Sequence, residues 1–255
     1  MPYLDLERGH CFYAGNNNCG GMPVLFCHGS GGGHHHWLYQ LQSLEKICNP
    51  VAVDLPGHGR SEGKPAESID QYAAWLYQVI QSLGLKSPLV AGHSMGGAVT
   101  LTMGLRYSSS IGGLILLSTG CRLRVLPDLL DSLKAGRIPA QLNDYLYSPD
   151  VPEALLRMSR RELENADPSI YYADLNACNN FNVTEKLSSI ALPTLIICGS
   201  DDRLTPPKYS HFMKDTIPCS SLEIIPGAGH MVMLEQPDKV NRVISRFVMN
   251  QNIHR

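Results

Sequence analysis

Gly92-His93-Ser94-Met95-Gly96 is the stretch that decides how the rest of the chain is read. Before it stands the apolar run Pro88-Leu89-Val90-Ala91, which reads as a buried strand. After it, Gly97 to Leu105 is small and apolar and reads as a buried helix. Ser94 therefore falls where a strand turns sharply into a helix. Such a turn forces its apex residue into a strained backbone conformation and lifts the side chain clear of both elements. The flanking glycines have a steric reason, because strand and helix pass too closely there for a Cβ. The helix N-terminus beneath the hydroxyl offers free N–H groups and the positive end of a dipole, which favour developing negative charge. A bare G-x-S-x-G in a chain with 23 glycines is a weak signal, and a plain turn serine also satisfies it. The strand before and the helix after make Ser94 the candidate nucleophile.

Working outward, the same grammar repeats. Pro23-Val24-Leu25-Phe26-Cys27 is a buried strand that empties into His28-Gly29-Ser30-Gly31-Gly32-Gly33. Val51-Ala52-Val53 is another, ending in Asp54-Leu55-Pro56-Gly57-His58-Gly59-Arg60-Ser61. Trp37, Leu38, Leu41, Leu44 and Ile47 recur at helical spacing between them. Ser68-Ile69-Asp70-Gln71 has the form of a capping box and opens a helix that stops at Gly84. Ile111 to Leu117, Pro193 to Gly199 and Ser221 to Ile225 are further buried strands, and residues 3–7 and 10–14 form an antiparallel edge joined at Gly9. Gln236-Pro237 opens the final helix. Strands that are apolar throughout and alternate with helices imply a parallel sheet covered on both faces, with ligands at the carboxyl ends of its strands. Between about Cys121 and Lys186 the alternation stops. Pro127, Pro139, Pro152 and Pro168 read there as first-turn prolines of about four short helices, laid over the active end of the sheet.

Composition narrows the class. The 255 residues, 44% hydrophobic, suit one α/β domain with an insertion. A formal charge of -2 leaves no basic face for nucleic acid. No segment has the length and apolarity of a membrane span, and residues 1–8 lack the layout of a signal peptide. The eight cysteines are scattered without C-x-x-C pairs and read as buried free thiols of a reducing cytoplasm.

His28-Gly29 with its glycine run, the Asp54–Ser61 turn, the Ser94 elbow, Gly199 with Asp202 and Pro206, and Gly229-His230 together resemble an α/β-hydrolase of the lid-bearing esterase type, over nearly the whole chain. The resemblance implies an eight-stranded, mostly parallel sheet with helices on both faces and an inserted helical cap. The domains are then a core of residues 1–120 and 187–255 and a cap of residues 121–186. It also implies a triad in the chain order Ser94, Asp202, His230. The chemistry asks for the same groups. A serine hydroxyl is a weak nucleophile and needs an adjacent base, here His230. The imidazole needs a carboxylate to fix its tautomer and offset its charge, and Asp202 follows the neighbouring strand. The acid-loop spacing of the family separates Asp202 from its neighbour Asp201. The tetrahedral intermediate needs two N–H donors, one from Met95 and the other from Ser30 or Gly31. Gly29, His93 and Met231 are candidate substrate contacts, and Met95, Met231 and Met233 either line an acyl pocket or pack in the core.

His34-His35-His36 reads against a metal site, because consecutive helical residues point apart and no carboxylate or cysteine cluster accompanies them in sequence. His28, His58 and Arg60 read as residues that hold the loops. A serine at the elbow, not an aspartate, argues against haloalkane dehalogenase and epoxide hydrolase relatives. The expected function is a cytoplasmic serine carboxylesterase for small to medium acyl esters, with no metal or organic cofactor, as a monomer or homodimer. A C–C bond hydrolase, thioesterase or perhydrolase on the same triad, or a small-molecule receptor that reuses the pocket, are the alternatives.

Overall fold

The computed structural model describes residues 2–15 and 21–253. Its strands are β1 (Tyr3–Leu6), β2 (Gly9–Ala14), β3 (Pro23–Cys27), β4 (Asn49–Val53), β5 (Leu89–His93), β6 (Gly113–Leu117), β7 (Thr194–Gly199) and β8 (Ser220–Ile225). They form one eight-stranded sheet in the order β1-β2-β4-β3-β5-β6-β7-β8. β1 and β2 pair antiparallel and make the edge, β2 pairs antiparallel with β4, and every later pairing is parallel. The crossovers place β5 in the middle, so the elbow at its end stands at the centre of the sheet.

The continuous apolar strands have a direct cause. Successive side chains point to opposite faces, and both faces are covered. In β3, Leu25 and Cys27 join one core cluster while Val24 and Phe26 join the other. In β6, Leu114 and Leu116 oppose Ile115 and Leu117 in the same way. Helices α2 (Ile69–Ser82), α3 (Met95–Arg106) and α8 (Pro207–Thr216) supply residues to the first cluster, and α1 (Leu38–Leu44) and α10 (Pro237–Ile253) to the second. Val240, Ile244 and Val248 of α10 are fully buried. At roughly 1.5–3 kcal/mol per buried aliphatic side chain, burial outweighs the weak intrinsic preference of this helix for its conformation.

At the start of α2 the Ser68 hydroxyl accepts from the Gln71 amide at 3.3 Å. The return bond of a capping box is displaced by one residue, since Gln71 Oε1 accepts from the Glu67 amide at 3.0 Å. Leu38, read as part of a buried stripe, is 54% exposed, because a 3₁₀ turn over His34–Trp37 precedes α1 and rotates the helix phase.

Between β6 and β7 the chain forms four α-helices: α4 (Pro127–Lys134), α5 (Leu142–Leu146), α6 (Glu153–Glu164) and α7 (Pro168–Asn179). Pro127 and Pro168 take first-turn positions, and Asp167 caps α7 by accepting from the Ser169 amide at 2.8 Å. Pro139 and Pro152 do not. Pro139 lies in the turn before α5, and Pro152 occupies the capping position of α6, where its fixed φ serves equally well. All seven described cysteines are free thiols; six are buried and Cys219 is exposed, while Cys19 lies outside the described residues. Among the described residues no helix is long and apolar enough to cross a membrane.

Candidate active site

Ser94 has φ 53° and ψ -115°, a left-handed conformation that costs a non-glycine residue about 1–3 kcal/mol. The surroundings hold it there. Its amide donates to Leu117 O at 3.0 Å, and its carbonyl accepts from Gly97 N at 2.9 Å and from the Thr119 hydroxyl at 2.7 Å. A Cβ at Gly92 would run into the Gly96 carbonyl, and one at Gly96 into the Cys27 carbonyl, which is the close approach that the flanking glycines permit. The Met95 amide opens α3, one of the N-terminal donors that a helix leaves without an internal acceptor. Thr119, two residues past β6, has no motif around it and escapes a sequence reading.

Asp202 and His230 come together in the loops after β7 and β8. His230 Nδ1 donates to Asp202 Oδ2 at 3.0 Å, and both residues are buried. The carboxylate also accepts from the Leu204 amide at 3.0 Å, the Thr205 amide at 2.9 Å and the Thr205 hydroxyl at 2.8 Å. Burial opposes its charge, but His230 and these donors outweigh burial and hold its pKa down at about 2. Asp201 is exposed and accepts from the Ser200 hydroxyl at 2.9 Å. Two further groups fix the histidine loop. His93 Nε2 donates to the His230 carbonyl at 3.0 Å, a holding role in which burial keeps its pKa well below the usual value. Glu235, on the short helix α9 (Val232–Glu235), accepts from the amides of Gly229 at 3.0 Å and Ser148 at 2.9 Å, tying this loop to the helical insertion.

In the glycine-rich loop after β3, the Gly31 amide donates to Asp174 Oδ2 at 2.9 Å, so it is committed to a carboxylate and is not a free donor. Among the described residues the Ser30 amide has no such carboxylate partner. His28 holds the loop: its Nδ1 donates to the Gly29 carbonyl at 2.8 Å and its Nε2 accepts from the Leu55 amide at 2.9 Å. Asp174, on α7, is fully buried and also accepts from the Tyr72 hydroxyl at 2.5 Å and His58 Nε2 at 2.8 Å. This one carboxylate joins the insertion, α2, the Asp54–Ser61 turn and the glycine loop. Burial works against charge on His58, but Asp174 and the Pro56 carbonyl outweigh it and raise its pKa. A raised histidine pKa means that this stabilisation is complete below about pH 6.5 and is lost as pH climbs through the folded-state value. Asp174→Asn is therefore expected to destabilise the fold by about 3–5 kcal/mol at pH 6, by leaving a buried imidazolium unpaired, and by less at pH 9. Urea unfolding of both proteins at the two pH values measures this.

Ser94 and His230 line one cavity of about 90 Å³, together with Gly29, Ser30, His93 and Met231. Its outer wall comes from the insertion, through Leu142, Leu146, Tyr147, Leu163, Tyr171 and Leu175. Of the three methionines weighed as pocket residues, Met231 is on the wall, while Met95 and Met233 are fully buried in the two core clusters.

The histidine run departs from its sequence reading. His34 turns away, its Nδ1 at 2.9 Å from Asp54 Oδ1. His35 and His36 turn the other way and both meet Glu162 of α6, a carboxylate 126 residues further on. The absence of a nearby carboxylate in sequence thus did not hold in space.

Comparison with known proteins gives a consistent picture. The family model described as "Alpha/beta hydrolase family" matches residues 24–243. A solved structure described as a thermophilic esterase is 32% identical, with a TM-score of 0.86, over 98% of this chain and 97% of that one. The putative carbamate hydrolase RutD of Escherichia coli is 29% identical over 91% of this chain and 93% of its own. The AB hydrolase superfamily protein YisY of Bacillus subtilis is 28% identical over 89% and 91%.

Proposed function

The chain belongs to the alpha/beta hydrolase family, and from that premise we propose that it is a serine carboxylesterase that cleaves short acyl esters through an acyl-enzyme. One observation carries the reading. Ser94, held at positive φ, shares a cavity with a histidine whose other nitrogen is engaged by a buried carboxylate. With Nδ1–H held by Asp202, the neutral ring keeps its lone pair on Nε2. In the proposed mechanism Nε2 takes the Ser94 proton as Oγ attacks the ester carbonyl. The Ser30 and Met95 amides donate to the oxyanion. Collapse of the intermediate expels the alcohol, which takes its proton from His230. A water deprotonated by His230 then attacks the acyl carbonyl, and Ser94 leaves with the proton returned.

In this reading residues 121–186 act as a cap. A cavity of about 90 Å³, walled by the aliphatic and aromatic side chains of the insertion, supports a short acyl group. The free thiols of the described cysteines support a reducing compartment. The test is a panel of p-nitrophenyl esters from acetate to octanoate, with a lactone, a carbamate and a C–C hydrolase substrate beside them. Acetate and butyrate are expected to turn over best. Turnover of the lactone, the carbamate or the C–C substrate with none of the esters would overturn the esterase assignment. Leu163→Ala and Leu175→Ala are expected to move preference toward longer chains by at least about tenfold, since one methylene in an apolar pocket is worth about 10–200-fold. Labelling of Ser94 by a fluorophosphonate should stay intact in both. A loss of thermal stability with unchanged selectivity would instead assign these residues to packing.

A further inference from the structure

We infer that His35, His36 and Glu162 form a binding site for a divalent transition-metal ion of the zinc type, which joins the helical insertion to the core beside the cavity. The inference is independent of the esterase reading. His35 Nε2 lies 2.7 Å from Glu162 Oε1, and His36 Nε2 lies 3.2 Å from the same oxygen. The donor atoms of the three residues all lie within 4.8 Å of one another. Zinc bonds of about 2.0–2.2 Å in a tetrahedron separate neighbouring ligand atoms by about 3.3–3.5 Å. The edge from Glu162 to His36 is already close to that span. The edge to His35 must open by roughly 0.6–0.8 Å, and the edge between the two histidine nitrogens, which lies within 4.8 Å, must settle to the same span; the His35 and Glu162 side chains are 45% and 35% exposed and free to adjust.

The donor set selects the ion. Two imidazole nitrogens and one carboxylate oxygen suit zinc, cobalt and nickel, whereas calcium and magnesium prefer oxygen throughout. The loop beneath is shaped for the two rings. A Cβ at Gly32 would lie 2.7 Å from His36 Nδ1, and one at Gly33 would lie 2.8 Å from His35 Nδ1. Gly32 and Gly33 leave the space in which these rings turn toward Glu162. The ligands also come from separate parts of the fold. The histidines sit on the 3₁₀ turn after β3, and Glu162 on α6. An ion held by all three ties the insertion to the core. His36 and Glu162 line the cavity that Ser94 and His230 line, so the ion stands at its wall. Three protein ligands leave one position for water.

The experiment uses tag-free, chelator-stripped full-length protein titrated with Zn²⁺ by calorimetry, and with Co²⁺ by visible absorption as a report on coordination. One ion per chain is expected. His35→Gln and Glu162→Gln are each expected to weaken binding at least as much as loss of an outer-shell partner does, about 10–100-fold. The His35 side chain is partly exposed, so His35→Gln keeps the test decisive if the Glu162 variant does not fold. Zn²⁺ at a hundredfold excess over its Kd should raise Tm by roughly 5–10 °C, and Mg²⁺ should leave it unchanged. No saturable uptake by the natural chain overturns the inference. So does uptake that survives both substitutions, which would place the ion elsewhere, for example at the exposed Cys219.

Discussion

Ser94→Ala is expected to lower kcat for p-nitrophenyl butyrate by about 10⁶-fold, the scale of loss when a Ser–His–Asp unit loses its nucleophile. The size follows from what remains. Without Oγ no acyl-enzyme forms, and His230 has no proton to accept; what survives is the background supplied by binding and by the amides of Ser30 and Met95. The variant should fold. Its backbone stays held by the bond to the Leu117 carbonyl and those from Gly97 and Thr119, none of which uses the Ser94 hydroxyl. His230→Ala is expected to lose a similar factor, since the two act as a unit. A fluorophosphonate should label the natural chain once, at Ser94, and the alanine variant not at all. Peptide mapping matters here because Ser30 and Ser159 line the same cavity. A label on either of them, or activity in the alanine variant within about a hundredfold of the natural chain, would sink the assignment.

The second large effect separates two adjacent carboxylates. Asp202→Asn is expected to cut kcat by about 10⁴-fold, as asparagine does in other sites of this kind. The carboxamide presents N–H to His230 Nδ1, which must then accept. The ring proton moves to Nε2, where it blocks the nitrogen that should receive the serine proton. Asp201 is exposed, and among the described residues its carboxylate accepts from the Ser200 hydroxyl alone, so Asp201→Asn should keep activity within roughly tenfold. Stability should follow the same ranking. Asp202 titrates near 2 in the fold, below the ordinary value of 3.8, so its contribution is complete above about pH 4 and vanishes as pH falls through 2. That shift corresponds to on the order of 2 kcal/mol at neutral pH, lost in the asparagine variant. Steady-state kinetics on one ester, with urea unfolding at pH 7, measures both. The reverse ranking would transfer the acid role to Asp201, and two mild losses would place the carboxylate elsewhere.

Much of this architecture could be read in one dimension because its demands are local. Where β5 and α3 nearly touch, the steric requirement falls on residues two before and two after Ser94, and glycines stand there. A strand covered on both faces is apolar along most of its length, so β3, β6 and the Leu89–Ala91 run of β5 announce themselves without reference to their neighbours. The order Ser94, Asp202, His230 is what the family resemblance of these motifs implies; local turn chemistry marks the loops in which the three residues sit. The contacts that complete the site are of another kind. Asp174 meets Gly31 across 143 residues, and Glu162 meets His35 across 127. Both are ordinary polar residues of amphipathic helices, and nothing beside them marks one as a buried hub and the other as the partner of two histidines. The commitment of the Gly31 amide, the grouping of His35 and His36 with Glu162, and the volume of the cavity depend on how α6 and α7 lie over the sheet. That placement comes from packing summed over many residues, and no local pattern encodes it: local sterics specify the loops, and long-range packing selects their partners.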